Sequence, residues 1–518
     1  MNRDHGLQQL RTAVNPFDFV IIGGGATGLG TAVDAASRGH TVCLIEQSDF
    51  AKGTSSRSTK LVHGGVRYLK QGNVSLVMEA LKERGRLHRN APHLVHALPF
   101  VIPSYHWWEG PFYGVGMKLY DQLAGELGLA PSRMLSLEET LEHIPTIERE
   151  HLTGGVIYHD GQFDDARLAV TLAQTATNHG AVVLNHVRCV SLLKVDNRVC
   201  GVKARDEESG EVFEIQAKAV INATGVFVDA LRKLDDSRDA DVVAASQGVH
   251  VVLPREFLPG DAAIMIPKTD DGRVLFAVPW HGRVVVGTTD TPVPDKSLEP
   301  RALPEEREFL MHHIRRYLTR DPEPEDVLSI FCGLRPLVKH GEAAKTSTLS
   351  RDHTILVSES GLITITGGKW TTYRKMAEDV VNRAEEVSEL TKRRCETAEL
   401  PLHGWTQDGM ADPLKVYGTD AAAIVRLIQE TPVLGQRLHP RLEYVGAEVI
   451  WQVRQEMART VEDVLARRTR ALLLDARAAI EAAPAVARLM AGELDRDEAW
   501  IQEQIVEFSE LAGGYLFA

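Results

Sequence analysis

The chain opens with two short apolar runs that flank a stretch rich in alanine and leucine. Phe17–Ile22 and Thr41–Ile45 have the length and composition of buried strands, and the stretch from Thr27 to Arg38 predicts a helix that Gly39 ends. The segment of about fifteen residues before the first run is polar and is expected to be loose. This order predicts a βαβ unit of about 30 residues at the start of an α/β fold.

The rest of the chain follows three patterns. Apolar runs of strand length recur at 181–184, 217–223 and 361–366, residues 242–294 alternate short β-like runs with turns, and helical spacing dominates beyond about 405. In that last part the apolar series from Ile450 to Leu465 predicts a helix. The predicted parts are a nucleotide-binding domain (17–90, 150–240 and 350–390), an antiparallel β substrate-binding domain (91–149 and 241–349) and an all-α C-terminal domain (400–518).

Composition and charge narrow the class of protein. The 518 residues are 44% hydrophobic and 25% charged, which is typical of a globular protein of several domains. With 58 basic and 71 acidic side chains, the net charge of −13 and the lack of a basic block argue against nucleic-acid binding. Five scattered cysteines indicate a reducing compartment and no metal site. Neither a signal peptide nor a membrane-spanning run is present, so a cytoplasmic protein with only peripheral membrane contact is expected.

The first chemical motif is Gly23-x-Gly25-x-x-Gly28, which follows the first predicted strand and opens the first predicted helix. Glycine at these positions permits a tight turn, lets backbone amides approach a pyrophosphate and lets the helix pack on the strand. Glu46 ends the second strand, where a carboxylate can accept hydrogen bonds from a ribose. The context predicts a dinucleotide site rather than a plain βαβ turn.

Two distant segments favour a bound FAD over a diffusing NAD. Val220–Gly225 is an apolar strand that ends in a small-residue turn with Ala223 and Gly225, and 361–369 repeats that order with Gly367 and Gly368 before a helix. In flavoproteins with two dinucleotide-binding domains, such segments return to the first nucleotide fold. A helix terminus beside the flavin would stabilise its reduced anion.

The densest segment is residues 53–69, in which hydroxyl and basic side chains precede Gly64-Gly65 and then Arg67-Tyr68. The hydroxyls and Lys60 can bind phosphate oxygens, and the two glycines let the chain pass close to a ring. Arg67 and Tyr68 present a cation and a phenol. A segment of this kind predicts a binding site rather than a neutral surface loop.

This segment resembles the signature of the FAD-dependent, respiratory glycerol-3-phosphate dehydrogenases. Four more segments agree with that family in the same order, and a C-terminal segment resembles its helical cap: 163–168, 286–290, 333–337, 367–375 and 456–470. The resemblance implies an FAD-binding doubly wound domain of the glutathione-reductase type, interleaved with an antiparallel substrate domain and followed by a helical cap.

The resemblance also assigns roles to residues. It implies non-covalent FAD held by Gly23, Gly25, Gly28, Glu46, Thr54, Ser58, Lys60, Leu61, Val187, Ala223, Gly225, Gly367 and Gly368. It implies a substrate pocket formed by Arg67, Tyr68, Thr288, Arg335 and Lys369. Arg335 is expected at the C2 hydroxyl and Lys369 at the developing alkoxide, because guanidinium and ammonium groups bind phosphate and oxyanions. Arginine is a poor base, so another group must take the proton; His63 and His250 are candidates, and the identity of the base is left open.

The implied reaction is oxidation of sn-glycerol 3-phosphate to dihydroxyacetone phosphate by hydride transfer from C2 to flavin N5. The implied electron acceptor is ubiquinone or menaquinone at the cytoplasmic membrane, with a candidate docking region in the aromatic residues 107–120. A homodimer is left open. Three alternatives remain: a glycerol-3-phosphate oxidase that uses O2, a related FAD-dependent amino- or hydroxy-acid oxidoreductase, and a flavin-binding scaffold without catalysis.

Overall fold

The computed structural model describes residues 1–65, 73–267, 269, 272–339, 352–407 and 414–517. Its strands are β1 (Phe17–Ile22), β2 (Val42–Ile45), β3 (Leu61–Val62), β4 (Val95–Ser104), β5 (Arg133–Leu135), β6 (Gly154–Phe163), β7 (Val182–Leu184), β8 (Val187–Val195), β9 (Arg198–Asp206), β10 (Val212–Asn222), β11 (Val243–Pro254), β12 (Ala263–Ile266), β13 (Leu275–Trp280), β14 (Arg283–Gly287), β15 (Thr291–Val293), β16 (Ser329–Val338), β17 (His353–Val357) and β18 (Ile363–Gly367).

The α-helices are α1 (Arg3–Thr12), α2 (Ala26–Ser37), α3 (Val74–Asn90), α4 (Glu109–Ala124), α5 (Leu137–His143), α6 (Asp165–Asn178), α7 (Val228–Asp235), α8 (Pro304–Tyr317), α9 (Tyr373–Val387), α10 (Ala421–Glu430), α11 (Gly446–Glu456), α12 (Ala471–Leu474), α13 (Ala476–Leu494) and α14 (Glu498–Gly513). In the described part of the chain, no helix is long and apolar enough to cross a membrane.

An eight-stranded sheet forms the nucleotide-binding part. Its path is β17-β18-β10-β1-β2-β7, and β9 and β8 extend from β10. The strands from β18 to β7 are parallel, so their carboxyl ends meet at one edge. Alternate residues of β1 serve opposite faces: Phe19 packs with α2, and Val20 packs with Leu7 and Leu10 of α1. The predicted doubly wound fold is confirmed. The first fifteen residues, expected to be loose, instead contain α1, because its apolar side chains cover the sheet.

A ten-stranded sheet forms the second part, with the path β15-β11-β14-β13-β12-β4-β6-β3 and with β16 paired to β11 and β5 to β6. All these pairs are antiparallel except β12 with β4. β6 was assigned by sequence to the nucleotide-binding part, but its ten residues pair with β4 in this second sheet. After β1 and β2, the chain therefore returns to the eight-stranded sheet only after residue 163, later than the predicted boundary at 150.

Helices make up most of the described C-terminal part, with one antiparallel bridge between Arg437 and Val445. The helix predicted from Ile450 to Leu465 is interrupted, because α11 ends at Glu456 and Met457 takes a left-handed conformation with φ 56°. The Asp463 carboxylate accepts hydrogen bonds from the backbone N–H groups of Arg459 and Thr460, and a new helical turn begins there. A side-chain cap has replaced the helix that the apolar spacing predicts.

Buried ion pairs join this helical part to the nucleotide-binding part, and we call them the ionic seam. Three carboxylates (Asp49, Asp165 and Glu456) bind five cations (Lys60, Arg167, Arg467, Arg468 and Arg470). Arg468 makes two hydrogen bonds of 2.6 and 2.8 Å to Asp49, and Arg167 makes two of 2.6 and 2.8 Å to Glu456. Each charge has a partner at hydrogen-bond distance, which is what makes burial of so many charges tolerable.

Candidate active site

Two cavities meet at the carboxyl edge of the parallel strands. One, of about 570 Å³, is lined by the glycines after β1 and is called the glycine-lined cavity. The other, of about 880 Å³, lies between the two sheets and is called the aromatic-lined cavity. They share five wall residues: Thr54, Pro336, Gly368, Lys369 and Trp370. A ligand that reaches along the first cavity therefore arrives at the wall of the second.

The glycine-lined cavity is shaped by backbone. Gly23 has φ +114°, and a Cβ at this position would lie 2.6 Å from the carbonyl oxygen of Ala223. A Cβ at Gly28 would lie 1.9 Å from the carbonyl oxygen of Gly23, so Gly28 supports the turn from behind and does not line the cavity. Gly25 precedes α2 and has no side chain to cap that helix, and the N–H of the first helical residue, Ala26, donates to Ser55 Oγ at 2.9 Å. The turn leaves room and a positive helix end for a pyrophosphate.

Glu46 is held at the predicted ribose position. Its carboxylate accepts hydrogen bonds from the N–H groups of Gly24 at 2.6 Å and Ser48 at 2.9 Å, and it lines the glycine-lined cavity. Burial raises the pKa of Glu46 above its usual value, and the two N–H donors oppose that shift. A fixed acceptor at a strand end suits ribose hydroxyls.

The remaining residues that the sequence predicts for the cofactor include five more that line this cavity. Val187, Ala223, Gly225, Gly367 and Gly368 all line it. The Val187 N–H donates to the carbonyl oxygen of Glu46 at 2.7 Å, so its backbone also ties β8 to the end of β2. Backbone turns, one carboxylate and an extended shape together fit a dinucleotide.

The aromatic-lined cavity collects side chains from five separate segments. Arg335 on β16, Thr288 after β14, Lys369 after β18, His63 after β3 and His250 on β11 all line it. The Arg335 guanidinium donates to Thr288 Oγ1 at 3.0 Å, lies 3.5 Å from Asp290 Oδ1, and its side chain remains 23% exposed. These five candidate site residues from the sequence are thus brought together at one cavity. Arg67 and Tyr68, predicted beside them, lie outside the described residues.

Gly248 is a site residue that sequence analysis missed. It lies on β11, and a Cβ there would come 2.3 Å from Nη2 of Arg335 and 2.6 Å from Oγ1 of Thr288. Only glycine leaves room for the guanidinium to cross this strand. A glycine inside an apolar strand pattern is the signal that could have identified this close approach.

The two histidines have different surroundings. His250 stacks on Phe331 with ring centroids 4.8 Å apart, and its Nε2 lies 2.9 Å from Thr59 Oγ1. Burial, and then the charges of Lys60 and Arg335, hold the pKa of His250 well below its usual value, so its imidazole is neutral near pH 7. The His63 backbone N–H donates to Thr371 Oγ1 at 3.1 Å, and its ring meets Phe276 edge-on at 6.3 Å.

Two predicted cofactor residues are bound elsewhere. Lys60 lines neither cavity; its fully buried ammonium donates to Asp165 Oδ2 at 2.8 Å and to the carbonyl oxygen of Ser56 at 2.8 Å. Burial lowers the pKa of Lys60 to about 7, and Asp165 opposes that shift. Ser58 lines the aromatic-lined cavity, but its hydroxyl donates to Asp165 at 2.7 Å. The buried carboxylate of Asp165 thus binds both the Lys60 ammonium and the Ser58 hydroxyl. This corrects the prediction that these two groups bind phosphate oxygens.

Thr54 and Leu61 stay beside the predicted ligand. Thr54 lies on the shared wall and donates its hydroxyl to the carbonyl oxygen of Leu334 at 2.5 Å. Leu61 lines the aromatic-lined cavity. Asp49, His186 and Asp463 place three metal-ligand atoms within 4.8 Å of one another. Arg467 of the ionic seam donates to the carboxylates of both Asp49 and Asp463 at 2.6 Å, so both acids already have a cationic partner.

Comparison with known proteins decides the family. The model of the family described as FAD dependent oxidoreductase matches residues 18–374, and that described as C-terminal domain of alpha-glycerophosphate oxidase matches 359–501. The human mitochondrial glycerol-3-phosphate dehydrogenase is 42% identical over 535 residues, which covers 96% of this chain and 73% of that protein. The chain belongs to the FAD-dependent glycerol-3-phosphate dehydrogenase family.

Further members and solved structures agree with this family. The probable mitochondrial glycerol-3-phosphate dehydrogenase of Caenorhabditis elegans is 44% identical over 511 residues, covering 92% of this chain and 70% of that protein. The Bacillus halodurans glycerol-3-phosphate dehydrogenase, solved with FAD, is 30% identical with a TM-score of 0.81 and covers 99% of this chain and 97% of its own. The predicted family, fold and FAD cofactor of this glycerol-3-phosphate dehydrogenase family member are confirmed.

More distant structures share the fold alone. The L-alpha-glycerophosphate oxidase of Mycoplasma pneumoniae is 19% identical with a TM-score of 0.58, over 75% of this chain and 98% of its own. A glycine oxidase of Geobacillus kaustophilus is 18% identical with a TM-score of 0.52, over 75% of this chain and 99% of its own.

Proposed function

We propose that the protein oxidises sn-glycerol 3-phosphate to dihydroxyacetone phosphate in the aromatic-lined cavity. The observation that carries this proposal is the convergence of Arg335, Lys369 and His63 beside the wall that the two cavities share. Bound FAD would accept the hydride from C2. The chain would supply the charges, the orientation and the proton acceptor.

The cations would act on the substrate in two ways. A phosphate monoester carries nearly two negative charges at neutral pH, so a cationic wall attracts and orients it. Arg335 would hydrogen-bond the C2 hydroxyl oxygen, since Thr288 fixes its guanidinium. Lys369, on the shared wall, would stabilise the negative charge that develops on that oxygen. The phosphate contacts would include Arg67 and Tyr68.

We assign the proton of the C2 hydroxyl to His63. A neutral imidazole is a suitable acceptor near pH 7. His250 lines the same cavity, but its Nε2 already contacts Thr59 and its ring is stacked on Phe331. His63 instead lies on a turn that ends in two glycines, is only half-buried and lines the cavity.

Anaerobic flavin bleaching tests the reaction directly. Mixing the FAD-loaded protein with glycerol 3-phosphate without oxygen should remove the absorbance of oxidised flavin, while glycerol or inorganic phosphate alone should not. Lactate and glycine serve as the matched hydroxy- and amino-acid substrates. No bleaching by glycerol 3-phosphate, or faster bleaching by either acid, would contradict the assignment.

The proposed electron acceptor is ubiquinone or menaquinone, reached from the membrane surface. Trp107 is 84% exposed, and Phe112 and Val115 on α4 are 53% and 74% exposed, so an apolar aromatic patch faces outward. The same helix lines the aromatic-lined cavity through Phe112, Tyr113 and Leu119. Exposed rings at such a surface suit the lipid headgroup region and peripheral binding to the cytoplasmic membrane.

Vesicle flotation tests this docking surface. The protein should float with phospholipid vesicles, and raising salt to about 1 M should remove little of it, since the contact is apolar. The double variant Trp107→Ser, Phe112→Ser should stay at the bottom. Trp405→Ser, which removes an exposed tryptophan far along the chain, is the matched control and should float. Flotation of the double variant would exclude this surface.

A second candidate is a glycerol-3-phosphate oxidase that uses O2. The match of residues 359–501 to the C-terminal domain of alpha-glycerophosphate oxidase favours it. A peroxide assay under air decides between the two. Stoichiometric peroxide at full turnover would favour the oxidase, and turnover that needs a quinone analogue would favour the dehydrogenase.

A further inference from the structure

The hydroxyl of Tyr120 makes two hydrogen bonds under the turn that carries His63. It accepts the backbone N–H of Gly64 at 2.8 Å and donates to Asp160 Oδ2 at 2.8 Å. Tyr120 is only 1% exposed, and burial raises the pKa of its phenol well above the usual value, so the phenol keeps the proton it donates. The bond pattern therefore has a fixed direction from Gly64 to Asp160.

Asp160 is itself held from the other side. Arg84 on α3 donates to Asp160 Oδ1 at 2.8 Å, and the two side chains are only 2% and 3% exposed. Asp160 on β6 also lines the aromatic-lined cavity. Arg84, Asp160 and Tyr120 thus form a buried chain, here called the tyrosine relay, that ends on the Gly64 amide. A paired, buried carboxylate makes the relay rigid.

The turn at Gly64 has no room to move toward the relay. A Cβ on Gly64 would lie 2.5 Å from Tyr120 Oη and 2.6 Å from Leu81. On the neighbouring residue, Thr371 Oγ1 accepts the His63 N–H at 3.1 Å. Two consecutive amides are therefore fixed by side chains from different parts of the chain, which determines where the His63 side chain leaves the backbone.

We infer that Tyr120, through Asp160 and Arg84, is a positioning residue that aims His63 at the substrate. This inference rests on the proposed function, in which His63 takes the C2 hydroxyl proton. Tyr120 touches neither substrate nor flavin in this role. Misplacement of a reacting group by a fraction of an ångström is enough to slow a proton transfer strongly.

The test compares Tyr120→Phe with a matched control, Tyr417→Phe. Tyr417 is also buried, donates to a carboxylate, Glu448, at 3.0 Å and accepts from Gln452 at 2.8 Å, but it lies in the helical part. Both variants lose two buried hydrogen bonds and should lose similar thermal stability. Only Tyr120→Phe should slow anaerobic flavin reduction at saturating glycerol 3-phosphate, by about 10- to 100-fold.

Two further readouts separate positioning from general damage. In Tyr120→Phe the substrate concentration for half-maximal reduction should stay within about twofold, and the solvent isotope effect on reduction should rise, since proton transfer becomes limiting. Equal reduction rates in the two variants would overturn the inference, whereas a wild-type flavin that glycerol 3-phosphate does not bleach would instead overturn the proposed function. If Tyr120→Phe does not fold with FAD, Asp160→Asn must slow reduction relative to Tyr417→Phe, and parity refutes the relay.

Discussion

The wall of the aromatic-lined cavity and the ionic seam contain the same kinds of cationic side chain in different surroundings. At the aromatic-lined cavity, Arg335 donates to Thr288 Oγ1 at 3.0 Å and lies 3.5 Å from Asp290 Oδ1, and part of its side chain stays exposed. In the seam, Lys60 and Arg470 meet the carboxylate of Asp165 at 2.8 and 2.9 Å with almost no exposure. The Arg335 side chain is partly exposed at a cavity, whereas the seam cations are fully buried against carboxylates.

This difference indicates which cations can bind an anionic ligand. A charge that a buried carboxylate already neutralises gains little from a dianion, because the new contact would leave the carboxylate unpaired. A charge that lines a cavity and stays partly exposed can be reached by a ligand without being drawn out of a buried pair. Damage to the wall should therefore remove function and spare the fold, and damage to the seam should do the reverse.

The largest expected effect is on the backbone that lines the glycine-lined cavity. Gly25→Val would crowd Ser55, whose Oγ lies 3.1 Å from the position of an added Cβ, and would fill the glycine-lined cavity with methyl groups. The variant should purify folded and without FAD, as measured by its visible absorbance. Gly492→Val on α13 is the control, since a Cβ there meets nothing within 4 Å. A fully loaded yellow Gly25→Val would contradict the assigned seat of the cofactor.

The next largest effect is on the cations of the wall. Arg335→Ala or Lys369→Ala should retain FAD and lose about 10²- to 10³-fold in kcat, the usual loss on removing one group that stabilises an oxyanion. Lys375→Ala is the control from the same signature, because its ammonium pairs with Asp379 on the surface of α9. The kcat of each variant is measured in steady-state assays with an artificial electron acceptor. Unchanged turnover in both wall variants would show that these cations do not form the site.

Much of the fold could be predicted from the sequence, for physical reasons. The glycine turn after β1 and the run 220–225 carry their information locally, since a tight turn beside a strand needs residues without a large Cβ. The boundary between the two sheets could not be predicted. β6 is apolar enough for either sheet, and its partner β4 lies 50 or more residues earlier in the chain.

The site was predicted in part. Arg335 and Lys369 reach the cavity as expected, but Lys60 does not, although it belongs to an equally specific motif. What separates them is the position of Asp165, which lies 105 residues from Lys60 in sequence and 2.8 Å from it in space. One sequence gives the residue types of a motif but not the distant carboxylate that neutralises one of its charges.

The seam should respond in the opposite way to the wall. Asp165→Asn removes the charge that Lys60 and Arg470 share and leaves both cations buried without it. The free energy of unfolding should fall by about 3–5 kcal/mol. The measurement is urea unfolding of the FAD-loaded protein, with turnover per bound FAD recorded alongside.

The control for this prediction is an exposed pair. Asp379→Asn breaks contacts with His353 and Lys375, whose side chains are 20% and 32% exposed, and should cost less than about 1 kcal/mol. An Asp165→Asn protein as stable as the wild type would remove the distinction between seam and wall. A stable Asp165→Asn protein without turnover would place Asp165 on the functional side instead.

The smallest expected effect concerns a buried carboxyl that forms no ion pair among the described residues. Glu448 accepts hydrogen bonds from the Val445 N–H at 2.8 Å and the Tyr417 hydroxyl at 3.0 Å, and burial raises its pKa to about 7. Because the folded protein holds this proton more tightly than the unfolded chain, Glu448 makes stability fall as the pH rises from about 5 to about 7. Glu448→Gln should flatten that slope by about 1–2 kcal/mol, measured as thermal midpoints at pH 5.5 and 7.5. Parallel pH profiles for the variant and the wild type would mean that Glu448 is ionised in the folded protein over this pH range. In that case a buried carboxyl without a cationic partner would have the same charge as the ion-paired carboxylates of the seam.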